Sequence, residues 1–377
     1  MKPVTWIDRA EALEAAVARW LAAPEVALDT EFVFERTFRA RLGLVQVAAG
    51  GEIALVDAVA IPGPGALRAL FEAPGARKLL HAGAGDVEVL SRATGAVPRP
   101  LLDTQIAAAF AGLGPALSYA ALVETLTGVV LAKHETRTDW LRRPLAPEQL
   151  RYAAEDVEHL PAVAAELERR LVALGRLEWA LEDSQAMAAS GAEGGAGEEE
   201  SVLRRLRSLD RLPPRARRVA RALVLWRERE AERLDLARPF LLRDETLVAL
   251  ARRPDVTVTE LAKLPGYDRR RHAAHAARWL EALAAARDEA ERDGAPPEPA
   301  FERPRVPLER LKRVGHALAE TVARRAAELG LPPELLLSRR QRDRLLRAWN
   351  GSAPVSAPLT GFRRALLGAD LDSSVAD

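Results

Sequence analysis

Two stretches without hydrophobic periodicity divide this 377-residue chain. Residues 184–200, Ser-Gln-Ala-Met-Ala-Ala-Ser-Gly-Ala-Glu-Gly-Gly-Ala-Gly-Glu-Glu-Glu, are rich in Gly, Ala and Glu, the composition of a flexible linker. Residues 292–307 hold five prolines, each of which removes a backbone donor and interrupts regular structure. A chain cut in this way is predicted to fold as three pieces, residues 1–183, 201–291 and 308–377, joined by the two linkers. The length suits two or three domains.

The pieces differ in kind. In residues 1–183, Val26–Leu28, Arg41–Val47 and Glu52–Val56 read as strands, the last two joined by an Ala-Gly-Gly turn, which predicts an antiparallel three-strand unit. Later strands near Leu79 and Leu101 alternate with helices, so the piece reads as α/β, a mixed sheet flanked by helices. Residues 201–291 read as all-α. A long helix carrying Leu223, Leu225 and Trp226 ends before Pro239, and Asp244 opens a short one. Thr257-Val-Thr-Glu260 forms a capping box, and Leu264-Pro-Gly266 closes the element it starts. Residues 308–377 repeat this pattern in degenerate form, with a helix through Ala317 and Val322 and then Leu331-Pro-Pro-Glu-Leu-Leu336. The first copy has Arg238-Pro-Phe-Leu-Leu242 at that place, and the second continues into the Arg-rich Ser338-Arg-Arg-Gln-Arg-Asp-Arg344.

The first piece carries the chemistry. Asp29 and Glu31 follow the apolar run Val26-Ala-Leu28, and residues two apart on a strand project from one face. Tyr152 and Asp156 lie four apart in a segment that reads as a helix opening near Pro147, so phenol and carboxylate share a face. Asp86 follows Leu79-Leu80 through His81-Ala-Gly-Ala-Gly85, where a strand turns into a helix, a common place for active-site residues. Four clustered carboxylates repel one another by about 4 kcal/mol per close pair at an effective dielectric near 20. Two Mg²⁺ or Mn²⁺ ions would offset that charge and clamp the attacking and leaving oxygens of a phosphoryl displacement. Either residue pair alone is common on solvated surfaces. The combination points to phosphodiester hydrolysis.

The words around these residues are Asp29-Thr-Glu-Phe32, Leu80-His-Ala-Gly-Ala-Gly-Asp-Val-Glu-Val-Leu90, Leu102-Asp-Thr-Gln-Ile-Ala-Ala-Ala-Phe110 and Glu135-Thr-Arg-Thr-Asp-Trp-Leu-Arg-Arg-Pro-Leu145. Spread across most of the first 165 residues, they resemble the DEDD superfamily of 3′-to-5′ exonucleases, and within it the ribonuclease D family. The helical piece at 201–291 resembles the HRDC domain found at the C-termini of that family and of some helicases. The resemblance implies a ribonuclease-H-like sheet with Asp29, Glu31, Asp86 and Asp156 as metal-binding carboxylates. Tyr152 would position or help deprotonate the attacking water. A sister subclass carries histidine one residue earlier, where this chain has Arg151, so Tyr152 implies the tyrosine subclass. Also implied are two divalent cations, release of nucleoside 5′-monophosphates, and RNA, specifically tRNA precursor 3′ ends, as substrate. His134 departs from the small polar residue expected at its position.

Neighbouring residues carry plainer readings. His81 reads as a strand-end structural residue, His134 and His159 as surface groups, and Asp103 as the cap of the helix that follows it. Trp140 reads as core, while Lys133, Arg137, Arg142 and Arg143 around it could hold phosphates. The chain has no cysteine, which excludes disulfides and thiolate metal sites. No run long enough to span a bilayer and no signal-peptide core is present, so a cytoplasmic protein without membrane contact is the expectation, and a monomer is expected besides. The formal charge of +1 conceals a split: 29 acidic against 19 basic side chains in residues 1–200, and 36 basic against 25 acidic in 201–377. A basic half could draw nucleic acid toward an acidic, metal-binding one. Removing 201–377 is therefore expected to weaken RNA binding while sparing hydrolysis of short single strands. A DNA exonuclease would use the same carboxylates, and a non-catalytic RNA-binding scaffold would not need all of them.

Overall fold

The computed structural model describes residues 3–34, 36–131, 138–193, 203, 206, 209, 212–292, 306–349 and 354–375. The α/β part runs β1 (Val4–Ile7), α1 (Ala10–Trp20), β2 (Glu25–Val33), β3 (Arg41–Ala49), β4 (Glu52–Asp57), α2 (Leu67–Glu72), β5 (Arg77–Leu80), α3 (Ala84–Thr94) and β6 (Leu101–Asp103). It continues through α4 (Thr104–Phe110), α5 (Tyr119–Thr127), α6 (Pro147–Glu158), α7 (Leu160–Leu174) and α8 (Leu177–Glu193). The six strands form one sheet in the order β1-β4-β3-β2-β5-β6. β3 and β4 are antiparallel, whereas β1–β4, β2–β5 and β5–β6 are parallel, the mixed sheet that the strand and helix alternation predicts. The β3–β4 turn uses Gly50 and Gly51, both at positive φ, as a two-residue hairpin turn requires. β2 has a strand on each side, so Asp29 and Glu31 stand on an inner strand whose preceding residues, Val26, Ala27 and Leu28, are fully buried.

The linker expected over 184–200 is corrected in its first ten residues. α8 continues to Glu193 and packs on the sheet: Ser184 accepts from the Asp103 N–H at 3.0 Å, and Gln185 donates to the Leu101 carbonyl at 3.0 Å. The small residues that mimic a linker serve close approach. A Cβ on Gly191 would come within 3.1 Å of the Ala84 carbonyl and of Val87, at the start of α3. Residues 194–200 lie outside the described residues.

The last helical piece also departs from expectation. Its helices pack into the core of the α/β part, and 302–377 group with 1–32 and 42–195 as one compact unit. In chain order they follow the helices of the central segment, α9 (Pro214–Leu234), α10 (Arg238–Leu241), α11 (Asp244–Arg252), α12 (Val258–Leu261), α13 (Arg269–His272) and α14 (Ala276–Glu291). The C-terminal set is α15 (Leu308–Leu329), α16 (Pro333–Leu336), α17 (Arg339–Ala348) and α18 (Gly361–Ser373). Phe362 of α18 stacks on Trp179 of α8 at 5.1 Å and meets Phe110 of α4 edge-on at 5.6 Å. Arg363 forms two hydrogen bonds to Asp183, at 2.5 and 2.8 Å, and Glu182 accepts from the Phe362 N–H at 2.9 Å.

The second unit comprises residues 33–41 and 196–301. Its long helix, short helix and capping box stand where the sequence places them, with Thr257 N–H donating to Glu260 at 3.0 Å. The β2–β3 connection belongs to it: Phe38 lies beneath Arg238 at 4.5 Å, and its N–H donates to Asp235 at 3.2 Å. The internal echo is visible in the elements themselves. A long helix of 21 or 22 residues is followed by a four-residue helix ending on two buried leucines, Leu241-Leu242 in one copy and Leu336-Leu337 in the other.

Candidate active site

Asp29 and Glu31 share the strand face that their spacing predicts, and α6 brings Asp156 to them. α6 starts where Pro147 fills the first helical position and the Ala146 N–H donates to Gln149 Oε1 at 2.9 Å. Carboxylate oxygens of Asp29, Glu31 and Asp156 all lie within 4.8 Å of one another. Asp86 stands beside this trio, in the first turn of α3, and accepts a hydrogen bond from the Thr30 hydroxyl. Thr30 is one residue out of phase with Asp29 and Glu31, so the fourth carboxylate is held from the other face of β2. Its loop is fixed in turn by Asp103, which accepts from the Gly83 N–H at 2.8 Å while capping α4 through Gln105 and Ile106. The capping role expected for Asp103 is what the structure contains.

Burial and mutual repulsion dominate the electrostatics. Asp29 is pushed well above the carboxylate range by burial and then by Asp86, Asp156 and Glu31. Burial, then Asp156 and Asp86, raise Glu31 to about 8. Asp156 rises to about 7 through burial, against a hydrogen bond from Tyr152 that favours its charged form. One oxygen of Asp156, Oδ2, is buried without a hydrogen-bond partner among the described residues. Such groups fit a hard cation: oxygen donors converge, one of them is unsatisfied, and a divalent charge would relieve the repulsion. Tyr152 is pushed upward by burial and by Asp156, Glu31 and Asp29, so it stays a phenol across the physiological range.

The surroundings are structural. His81 sits at the end of β5 with its ring nitrogens at 2.9 Å from the Thr104 hydroxyl and 3.1 Å from the Leu117 carbonyl, as a strand-end residue would. Trp140 is buried core, 6.1 Å from the Tyr152 ring. Arg143 is not available to phosphates: it grips Asp57 with two hydrogen bonds, at 2.5 and 2.8 Å, and donates to the Gly43 and Trp140 carbonyls. Arg142 and Arg151 are exposed, while Lys133, His134 and Arg137 lie outside the described residues. Sequence reasoning missed Thr30 and Tyr119. The Tyr119 hydroxyl bonds the Glu155 carbonyl at 3.2 Å and receives the His159 N–H at 3.3 Å, bracing the end of α6.

Asp29 and Glu31 on an inner strand, met by Asp156 from a helix, form an acidic cluster in a chain of the 3′-5′ exonuclease class. The family model described as 3′-5′ exonuclease matches residues 4–172, and that of the HRDC domain matches 216–283. A ribonuclease D from Xanthomonas oryzae is 39% identical over 353 residues, covering 92% of each chain. One from Pseudomonas paraeruginosa is 36% identical over 372 residues, covering 98% of this chain and 96% of its own. The crystal structure of Escherichia coli RNase D, described as an exoribonuclease involved in structured RNA processing, matches with a TM-score of 0.88. That match has 32% identity and covers 99% of this chain and 98% of the other. The chain belongs to the ribonuclease D family and is a 3′-5′ exoribonuclease. Its fold implies dependence on a divalent metal, and no helix among the described residues is long and apolar enough to cross a membrane.

Proposed function

We propose that the enzyme trims the 3′ ends of tRNA precursors by two-metal hydrolysis, with Asp29, Glu31, Asp86 and Asp156 as metal-binding carboxylates. The observation that carries the site assignment is the convergence of Asp29, Glu31 and Asp156 within 4.8 Å, with Asp156 Oδ2 buried there and left without a partner among the described residues. Two Mg²⁺ or Mn²⁺ ions bound there would supply Lewis acidity, lowering the pKa of water and offsetting charge on the reacting oxygens. Asp29 and Glu31 would hold cations from the strand face, Asp156 from the helix. Asp86, fixed by Thr30, adds the fourth charge from α3. Tyr152 is a hydrogen-bond donor in this setting, because its elevated pKa denies it the role of base. It orients the water that attacks the terminal phosphorus. The bond from phosphorus to the 3′ oxygen breaks, leaving a free 3′ hydroxyl on the shortened strand and releasing a nucleoside 5′-monophosphate. We read the enzyme as a monomer acting in the cytoplasm.

The test uses wild type and Asp156→Asn on 5′-labelled tRNA precursors with 3′ extensions, in Mg²⁺, Mn²⁺ or EDTA. A metal-dependent ladder shortening from the 3′ end, lost in the variant while RNA binding persists, is expected. Wild-type turnover by Asp156→Asn would sink the site assignment. Equal rates on an unstructured RNA of the same 3′ sequence would remove the tRNA precursor preference.

A further inference from the structure

We propose that the exposed face of α17 (Arg339–Ala348) docks the phosphate backbone of the RNA body upstream of the nucleotide being removed, an inference that rests on the exoribonuclease reading. The helix is a firm platform. Ser338 caps it, accepting from the Gln341 N–H at 3.3 Å, while Gln341 Oε1 accepts from the Ser338 N–H at 2.8 Å. Leu345 is buried, and Leu346 packs so closely on α15 that a Cβ at Gly315 would come within 3.1 Å of it. On the other side Arg340, Arg344 and Arg347 recur at i, i+4 and i+7, all exposed, with exposed Arg339 beside them. Three residues on one face span about 10 Å at 1.5 Å rise per residue. Just beyond the helix, Arg310 of α15 lies over Trp349 at 5.3 Å and adds a fifth exposed guanidinium.

Four guanidinium charges gathered on one face go unanswered among the described residues. Other arginines find carboxylates: Arg169 and Arg170 share Glu166, Arg233 and Arg278 share Glu230, and Arg324 and Arg325 of the adjacent α15 reach Glu328 and Asp370. None of Arg339, Arg340, Arg344 and Arg347 makes an ion pair among the described residues. The one acid of the helix, half-buried Asp343, offers Arg347 only its carbonyl, at 3.3 Å. Arg342 differs, being half-buried and donating to the Leu337 carbonyl at 3.2 Å. Arg339 and Arg340 also stand in the first turn, at the positive end of the helix dipole, and Arg340 and Arg344 are like charges four apart. Both placements disfavour the helix. A polyanion laid along the face would reverse both effects, and the planar guanidinium fork suits phosphate.

The test is the full-length triple variant Arg340→Gln, Arg344→Gln, Arg347→Gln, compared with wild type and with the corresponding Lys variant. Binding of an RNA hairpin with a 3′ single-stranded tail is measured in EDTA across a salt series, and turnover of a five-nucleotide strand is measured in Mg²⁺. Hairpin affinity should fall at least tenfold at low salt in the Gln variant, with a salt slope shallower by roughly 2 to 3. The Lys variant should keep most of the slope, and five-nucleotide turnover should stay at the wild-type level in both. Unchanged affinity and slope would overturn the proposal, as would equal losses in the Lys variant and in short-strand turnover, which mark damage to the fold. Failure of the wild type to shorten RNA in Mg²⁺ would strike the exoribonuclease reading instead, since the EDTA binding arm does not depend on cleavage.

Discussion

Glu31 and Asp156 set the pH behaviour of the metal-free protein. Both have folded-state pKa values raised above the ordinary carboxylate range, to about 8 and about 7. A raised value means that the folded state binds protons the unfolded chain has released, so the stabilisation is complete below the ordinary pKa near 4 and is lost as pH rises through 7 and 8. The melting temperature in EDTA should therefore fall from pH 5 to pH 9, while saturating Mg²⁺ flattens that decline and binds more tightly as the carboxylates deprotonate. A metal-induced gain in melting temperature that shrinks with rising pH would contradict this. For Tyr152→Phe, loss of water orientation should lower kcat by roughly ten- to a hundredfold with little change in KM, less than the hundred- to ten-thousandfold scale of acid–base catalysis. Unchanged kcat in single-turnover assays would remove Tyr152 from the mechanism. Asp29 with Glu31, and Tyr152 with Asp156, were legible in the sequence because strand and helix periods place each pair on one face. The Thr30–Asp86 and Arg143–Asp57 contacts were not, since they join residues 56 and 86 positions apart through loop shape. Periodicity carries no information at that range.

Elements with a clear hydrophobic pattern were legible too: β2 to β4 as apolar runs buried on both faces, and α6, the long helix α9 and its echo α15 as helices with one buried face. α8 was not, because a helix built from Ala, Ser and Gly to sit tightly on α3 and β6 has the composition of a linker. Its true role shows at its acidic residues. Glu182 and Asp183 bind the start of α18, and Arg363 also donates to the Leu335 and Leu336 carbonyls. Arg363→Ala would leave Asp183 and two carbonyls without their donor, and loss of one partner of a largely buried pair costs about 3 kcal/mol. Urea denaturation should show that loss, with nuclease activity per folded molecule kept. A variant as stable as wild type would mean that α18 is held by its apolar contacts alone. Asp183→Asn, which keeps an acceptor for Arg363, should cost less.

At the scale of the molecule, three separable pieces read from the sequence become two compact units, and the C-terminal helices share a core with the catalytic sheet. The acidic and basic halves of the sequence are thus not two bodies, because part of the basic half is built into the catalytic unit. This changes what truncation after residue 200 should do. The expectation from sequence is a working nuclease with weaker RNA binding. The structure instead has Phe110 and Trp179 packed on Phe362, and the Arg176 guanidinium bridging the Phe110 and Leu329 carbonyls at 3.0 and 2.6 Å. Truncation would expose those rings and strand a buried cation. Each large apolar side chain returned to water forfeits about 1.5–3 kcal/mol, and for a domain of this size each kcal/mol moves the melting temperature by about 2–4 °C. The fragment should therefore melt at least about 10 °C below the full chain or aggregate on expression, and its loss of activity on short single strands should track the unfolded fraction. A soluble fragment with the full-length melting temperature and short-strand turnover would show that the C-terminal helices rest on the catalytic unit without supporting it.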